Sequence, residues 1–115
     1  MSEWLSRTEL LIGKSALDTL KSTHILVVGL GGVGSYAAET MVRSGVGKIT
    51  IIDGDDVDIT NKNRQLQALN STIGQKKAKV LKERFLDINP NLEVIVHNKF
   101  LNPNEMQNLL TSQKF

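Results

Sequence analysis

The sequence predicts an α/β protein with a parallel, doubly wound sheet, and three observations predict it. Short apolar runs of strand length alternate along the chain with segments of helical period. The first run, His24-Ile-Leu-Val-Val28, is apolar from Ile25 onward without a break, as in strands covered on both faces. Directly after it comes Gly29-Leu30-Gly31-Gly32-Val33-Gly34, with four glycines in six positions where a strand must turn at once into a helix.

The elements follow in order. Leu10, Leu11, Ala16, Leu17 and Leu20 predict one or two amphipathic helical segments before residue 22, interrupted near Gly13. The first strand is His24–Val28. A helix runs from about Val33 to Ser44, with Ala37, Ala38, Met41 and Val42 on its packing side, and Gly45 and Gly47 end it. Lys48-Ile-Thr-Ile-Ile52 is a second strand rich in β-branched residues. Asp53–Asn61 reads as a loop in which Asp55, Asp56 and Asp58 form turns. The next helix spans about Gln75 to Asn89, with Ala78, Leu81, Phe85 and Ile88 on one face. Leu92–Val96 is a third strand, and Asn102-Pro103 opens a last helix with proline at its start.

Helix followed by βαβαβα, with right-handed crossovers, gives the strand order 3-2-1. That is the N-terminal half of a Rossmann-like doubly wound sheet, with a helical segment at 1–22 and a nucleotide-binding unit at 23–115. The order leaves the apolar first strand at an open edge, which is an aggregation hazard. The expectation is therefore a piece of a larger domain, or an edge covered by something else.

Composition sets bounds on function. The chain has 115 residues, 40% apolar and 23% charged, which suits one compact domain with a real core. It has no cysteine, so a disulfide framework, a thiolate metal site and a cysteine nucleophile are excluded within it. A net charge of +2 does not announce a nucleic-acid binder. The run Gln75–Arg84 is basic but reads as a solvated helix face. No apolar run approaches membrane-spanning length and the N-terminus lacks a secretory pattern, so the expected location is cytoplasmic.

Gly29, Gly31 and Gly34 fit G-x-G-x-x-G, with Gly32 as an extra. The first permits the tight turn, the second lets backbone approach a phosphate, and the third lets the helix pack closely. Asp53, at the end of the second strand, can accept hydrogen bonds from ribose hydroxyls. Loop and acid serve NAD and ATP equally well. Asn61-Lys62-Asn63-Arg64-Gln65 and Gly74-Gln75-Lys76-Lys77 favour ATP. A triphosphate gains from fixed cations: Arg64 can fork across two phosphate oxygens, and Lys77 acts as a compact charge. Either cation alone is equally well explained as a wet surface residue.

Taken together, GLGGVGS, Asp53, N-x-x-R-Q and G-Q-x-K resemble the ThiF/MoeB/HesA family of adenylyltransferases, related to ubiquitin-activating enzymes, over roughly Arg7 to Val96. Tyr36-Ala-Ala-Glu39 and Asn63-Arg-Gln-Leu-Gln-Ala-Leu69 most resemble its tRNA threonylcarbamoyladenosine dehydratase branch. The resemblance implies ATP-dependent adenylation of a carboxylate, here that of threonylcarbamoyladenosine at position 37 of tRNA, followed by cyclisation. It places Gly31 and Gly32 beside the nucleotide, Asp53 on the ribose, and Asn61, Arg64 and Lys77 on the phosphates. Arg7 stands where relatives put an arginine that reaches the other subunit's nucleotide, although a plain surface arginine on an amphipathic helix explains it equally well. It further implies a homodimer and Mg2+, whose Asp ligand would fall beyond residue 115; no metal ligand is assigned within the chain. Two other readings stay open. One is activation of a ubiquitin-like sulfur-carrier protein, with a sulfur-transfer partner. The other is an NAD-binding oxidoreductase or nucleotide-sensing module, against which Arg64 and Lys77 argue.

Some residues earn no special role. His24 and His97 lack a partner at ligand spacing and read as solvated or capping groups. Trp4 and Leu5 read as packing on their own helix, and Ser35 as a hydrogen-bonding residue at a helix start.

Overall fold

The computed structural model describes residues 3–115. The first two positions of the expected 1–22 segment thus lie outside the described residues. A short 3-10 turn, Glu3–Leu5, leads into α1 (Ser6–Lys21). There follow β1 (His24–Val28), α2 (Gly34–Ser44), β2 (Lys48–Ile52), α3 (Lys77–Ile88), β3 (Glu93–His97) and α4 (Pro103–Ser112). The three strands are parallel in the order β1-β2-β3, the order that right-handed crossovers require.

Register decides which residues share a face. Ile25, Ile49 and Val94 are level, as are Val27, Ile51 and Val96. These six share one face of the sheet and form a single cluster with Leu30, Ala38, Val42, Ala78, Leu81 and Phe85. Burial of this apolar layer is the main force holding α2 and α3 to the sheet. β1 lies at one edge, and Val28 at its end is 57% exposed.

Several boundaries and faces differ from expectation. The helical segment before β1 is broken at Gly13 (φ 85°, ψ 165°), as the sequence indicates. Of its apolar residues only Leu17 is buried, while Leu10 and Leu11 face solvent. A break in the helix frees its two halves from sharing one face. In α2 the buried face is Ser35, Ala38, Glu39 and Val42, and Ala37 and Met41 fall off it. Spacings of three and four residues from Ser35 define that stripe. Helix α3 begins at Lys77 and β3 at Glu93, because the Leu92 N–H closes a turn onto the Asn89 carbonyl (3.1 Å). The expected loop Asp53–Asn61 contains the start of a 3-10 turn, Ile59–Asn63, capped by Asp58.

A second clamp joins α2 to α3. Glu39 accepts hydrogen bonds from Arg84 of α3 and, at 3.2 Å, from Arg43 one turn along α2. Burial alone would push this carboxyl up; the two guanidinium groups reverse that and hold it below the ordinary glutamate value. On the opposite face of the sheet, His24 Nε2 lies 2.7 Å from Thr50 Oγ1, and the His24 ring meets Phe115 with centroids 4.5 Å apart.

Candidate nucleotide-binding site

The site is built at the carboxyl end of the sheet, where β1 turns into α2. Gly29 has φ 87°, a left-handed conformation that a side chain would strain, yet a Cβ there would meet no neighbour. Its glycine is a backbone requirement. Gly34 is a packing requirement, because a Cβ on it would overlap the carbonyl oxygen of Gly29. Gly31 leaves open space, its nearest neighbour being Gln65 Nε2, 3.9 Å from where a Cβ would stand. The helix start is tied to the loop by Ser35, whose hydroxyl donates to the Gly31 carbonyl (2.6 Å). That is the helix-start role expected of it.

Asp53 lies buried beneath this loop. Its Oδ2 accepts the Leu30 N–H at 2.7 Å, and its Oδ1 accepts the Asp55 N–H, also at 2.7 Å. The acid expected to hold a ribose is therefore already a strut of the glycine loop. Each oxygen retains a lone pair for a further donor.

Arg64 follows the 3-10 turn, and its stem packs against the loop. Its Cγ lies 3.3 Å from the position of a Cβ on Gly32, and its guanidinium donates to Asn63 Oδ1 (2.9 Å) and the Thr60 carbonyl (3.3 Å). Lys77 opens α3. Its side chain is only 7% exposed, with Nζ 3.8 Å from Asp55 Oδ2, and its N–H donates to the Asp55 carbonyl (3.1 Å). The loop thus carries the stem of one cationic side chain, and a second cation is linked to it through Asp55 and Asp53. Asn61 is buried; its Oδ1 accepts the Asp58 N–H (2.8 Å) in a capping box, leaving its amide nitrogen as the donor available to a ligand.

Arg7 is not brought to this site within one chain. Leu5, two residues before it, packs on Gly45 at the C-terminal end of α2, and the glycine loop is at the other end of that helix. Asp56 pairs with Lys76 (3.0 Å) and Asp58 caps Thr60 (2.9 Å), as turn-forming acids do. Among the described residues, no group of three or more His, Asp or Glu side chains could hold a metal ion. No helix of the described residues is long and apolar enough to cross a membrane.

Two glutamines assigned no role from sequence belong to the site. Gln67 is 1% exposed, and its Nε2 donates to the Leu30 carbonyl (2.7 Å) and to Gln65 Oε1 (3.0 Å). The signal was present in Arg64-Gln-Leu-Gln-Ala68, but a glutamine flanked by apolar residues does not reveal whether it is buried.

A parallel βαβαβ unit with a glycine loop at its first turn, an acid after its second strand and flanking cations defines the mononucleotide-binding half of a Rossmann-type fold. The chain belongs to the ThiF family, whose model matches residues 5–115. It is 57% identical over 100 residues to the tRNA threonylcarbamoyladenosine dehydratase of Bacillus subtilis, covering 87% of this chain and 39% of that protein. The Escherichia coli dehydratase of the same name is 48% identical over 86% of this chain and 37% of its own length. The E. coli molybdopterin-synthase adenylyltransferase is 33% identical over 81% of this chain and 37% of its own. The solved structure of the E. coli tRNA N6-threonylcarbamoyladenosine dehydratase in complex with ATP superimposes with a TM-score of 0.93 at 43% identity, over 96% of this chain and 46% of that one. The chain therefore spans less than half the length of these relatives.

Proposed function

We propose that this chain forms the ATP-binding part of an adenylyltransferase that activates threonylcarbamoyladenosine in tRNA. The observation that carries the reading is the seating of the Arg64 stem on Gly32, which roots a forked cation, held by Asn63 and the Thr60 carbonyl, beside the glycine loop. A dinucleotide site gains little from that charge, whereas a triphosphate undergoing transfer gains much. The identity to the dehydratases exceeds that to the molybdopterin-synthase adenylyltransferase, 57% and 48% against 33%, which favours the tRNA substrate over a sulfur carrier.

In this reaction a substrate carboxylate oxygen attacks the α-phosphorus of ATP. The bond to the bridging oxygen breaks, pyrophosphate leaves with its electron pair, and an acyl-adenylate forms. A nucleophile within the same nucleoside then attacks the activated carbonyl, expelling AMP and closing the ring with net loss of water. Arg64 and Lys77 would spread the charge that gathers on the phosphates. Asp53 would accept from the ribose while keeping the Leu30 N–H. Asn61 would donate its amide to a phosphate. Arg7 would serve the nucleotide of a second copy. The described residues do not supply a donor set for Mg2+, since Asp55, Asp56 and Asp58 already face Lys77, Lys76 and Thr60.

The test is ATP–pyrophosphate exchange by the full-length protein with unmodified and threonylcarbamoyl-modified tRNA. Exchange that depends on the modified tRNA supports the reading. Exchange driven instead by a carrier protein with a C-terminal carboxylate would move the assignment to sulfur-carrier activation.

A further inference from the structure

The Leu30 peptide is gripped from both sides. Its N–H donates to Asp53 Oδ2, and its carbonyl accepts from Gln67 Nε2, both at 2.7 Å. The same Gln67 amide nitrogen spends its second hydrogen on Gln65 Oε1 at 3.0 Å. With its oxygen so engaged, Gln65 turns its own amide nitrogen toward Gly31, 3.9 Å from the position of a Cβ there. Among the described residues no hydrogen bond consumes that nitrogen.

Gln67 Oε1, meanwhile, is fully buried and accepts no hydrogen bond among the described residues. A buried acceptor without a partner is costly, and an apolar residue of similar size at this place would avoid the cost. Only the nitrogen end of Gln67 has partners, and both belong to the glycine-loop wall. We propose that Gln67 is a positioning residue for the nucleotide, fixing the Leu30 carbonyl and, through Gln65, aiming a second-layer amide donor at the phosphates over Gly31. This rests on the reading that the glycine loop holds ATP.

The amide geometry makes the proposal specific. Gln67→Met keeps the volume and removes both donated bonds. Gln67→Glu keeps the shape but sets an acceptor against two acceptors. Gln67→His keeps one N–H for the Leu30 carbonyl. Two readouts separate positioning from plain stability: ATP affinity by calorimetry well below the melting temperature, and amide hydrogen exchange of residues 29–35 without nucleotide.

The expected result is faster exchange at 29–35 in Gln67→Met and Gln67→Glu, an ATP affinity lowered about tenfold, and partial rescue of both by Gln67→His. The Gln65→Met and Gln67→Met losses in affinity are expected to be less than additive when combined, since one acts through the other. Wild-type affinity and wild-type exchange in Gln67→Met would overturn the inference, as would a lowered melting temperature alone. If the wild-type protein binds no ATP while exchange at 29–35 still rises in Gln67→Met, the loop-holding role stands and the ATP reading falls.

Discussion

The stem of Arg64 rests on Gly32: a Cβ at that glycine would stand 3.3 Å from the arginine's Cγ and 3.5 Å from its Cδ. The absence of a side chain at Gly32 therefore has a purpose distinct from the turn itself. It makes room for the arginine's stem against the loop.

Replacing Gly32 with alanine is expected to displace Arg64 by a few tenths of an ångström while leaving the fold in place. Exchange activity should fall severalfold in Gly32→Ala with the melting temperature nearly unchanged. Arg64→Ala should abolish it. Undiminished exchange in Arg64→Ala would remove the basis of the proposed function.

Gly34→Ala tests the other kind of glycine. The added carbon would meet the Gly29 carbonyl, which is backbone and cannot swing aside. Overpacking of this sort is expected to cost about 3 kcal/mol, read as a shifted urea midpoint at constant slope.

Glu39→Gln should loosen α2 from α3. It leaves Arg84 and Arg43 without their carboxylate, and because both arginines are partly exposed the expected loss is about 1–2 kcal/mol. The wild-type carboxyl is held below its ordinary value, so the clamp's contribution is present above the ordinary glutamate range and is lost as pH falls through the lower folded value. Acid titration of stability in Glu39→Gln should lack that component.

His24 gives a separate pH signature. Burial lowers its titration below the ordinary histidine value, and the nearby Lys48 adds to the effect against the opposing Glu93. With the folded value below the unfolded one, the unfolded chain binds the extra proton in the interval between them. Stability should thus be full above the unfolded value and decline as pH falls through the folded one. Urea unfolding at a series of pH values should show this decline in the wild type and lack it in His24→Gln, which can still meet Thr50 Oγ1.

Arg7 can be tested by complementation. If it serves the neighbouring nucleotide in a dimer, mixing inactive Arg7→Ala with inactive Lys77→Ala chains should restore roughly a quarter of the wild-type activity, one intact site in each mixed pair. Undiminished activity of Arg7→Ala on its own would place Arg7 among ordinary surface arginines, and an inactive Arg7→Ala that shows no recovery on mixing would rule out service to the neighbouring nucleotide.

The sequence by itself determined the alternation of strands and helices, the strand order and the place of the glycine loop. These depend on period, on β-branched content and on glycine where backbone allows nothing else, all of which are local. Asp53 and Arg64 could be named as candidate site residues because an acid at a strand end and a cation in a short motif are also local signals. What only the tertiary structure decided is how the side chains are spent. Asp53 holds the loop by the Leu30 N–H, Gln67 is buried against Leu30 from 37 residues away, and Glu39 faces Arg84 across 45 residues. Burial of a polar side chain depends on what the rest of the chain brings against it, and no period in the sequence records that.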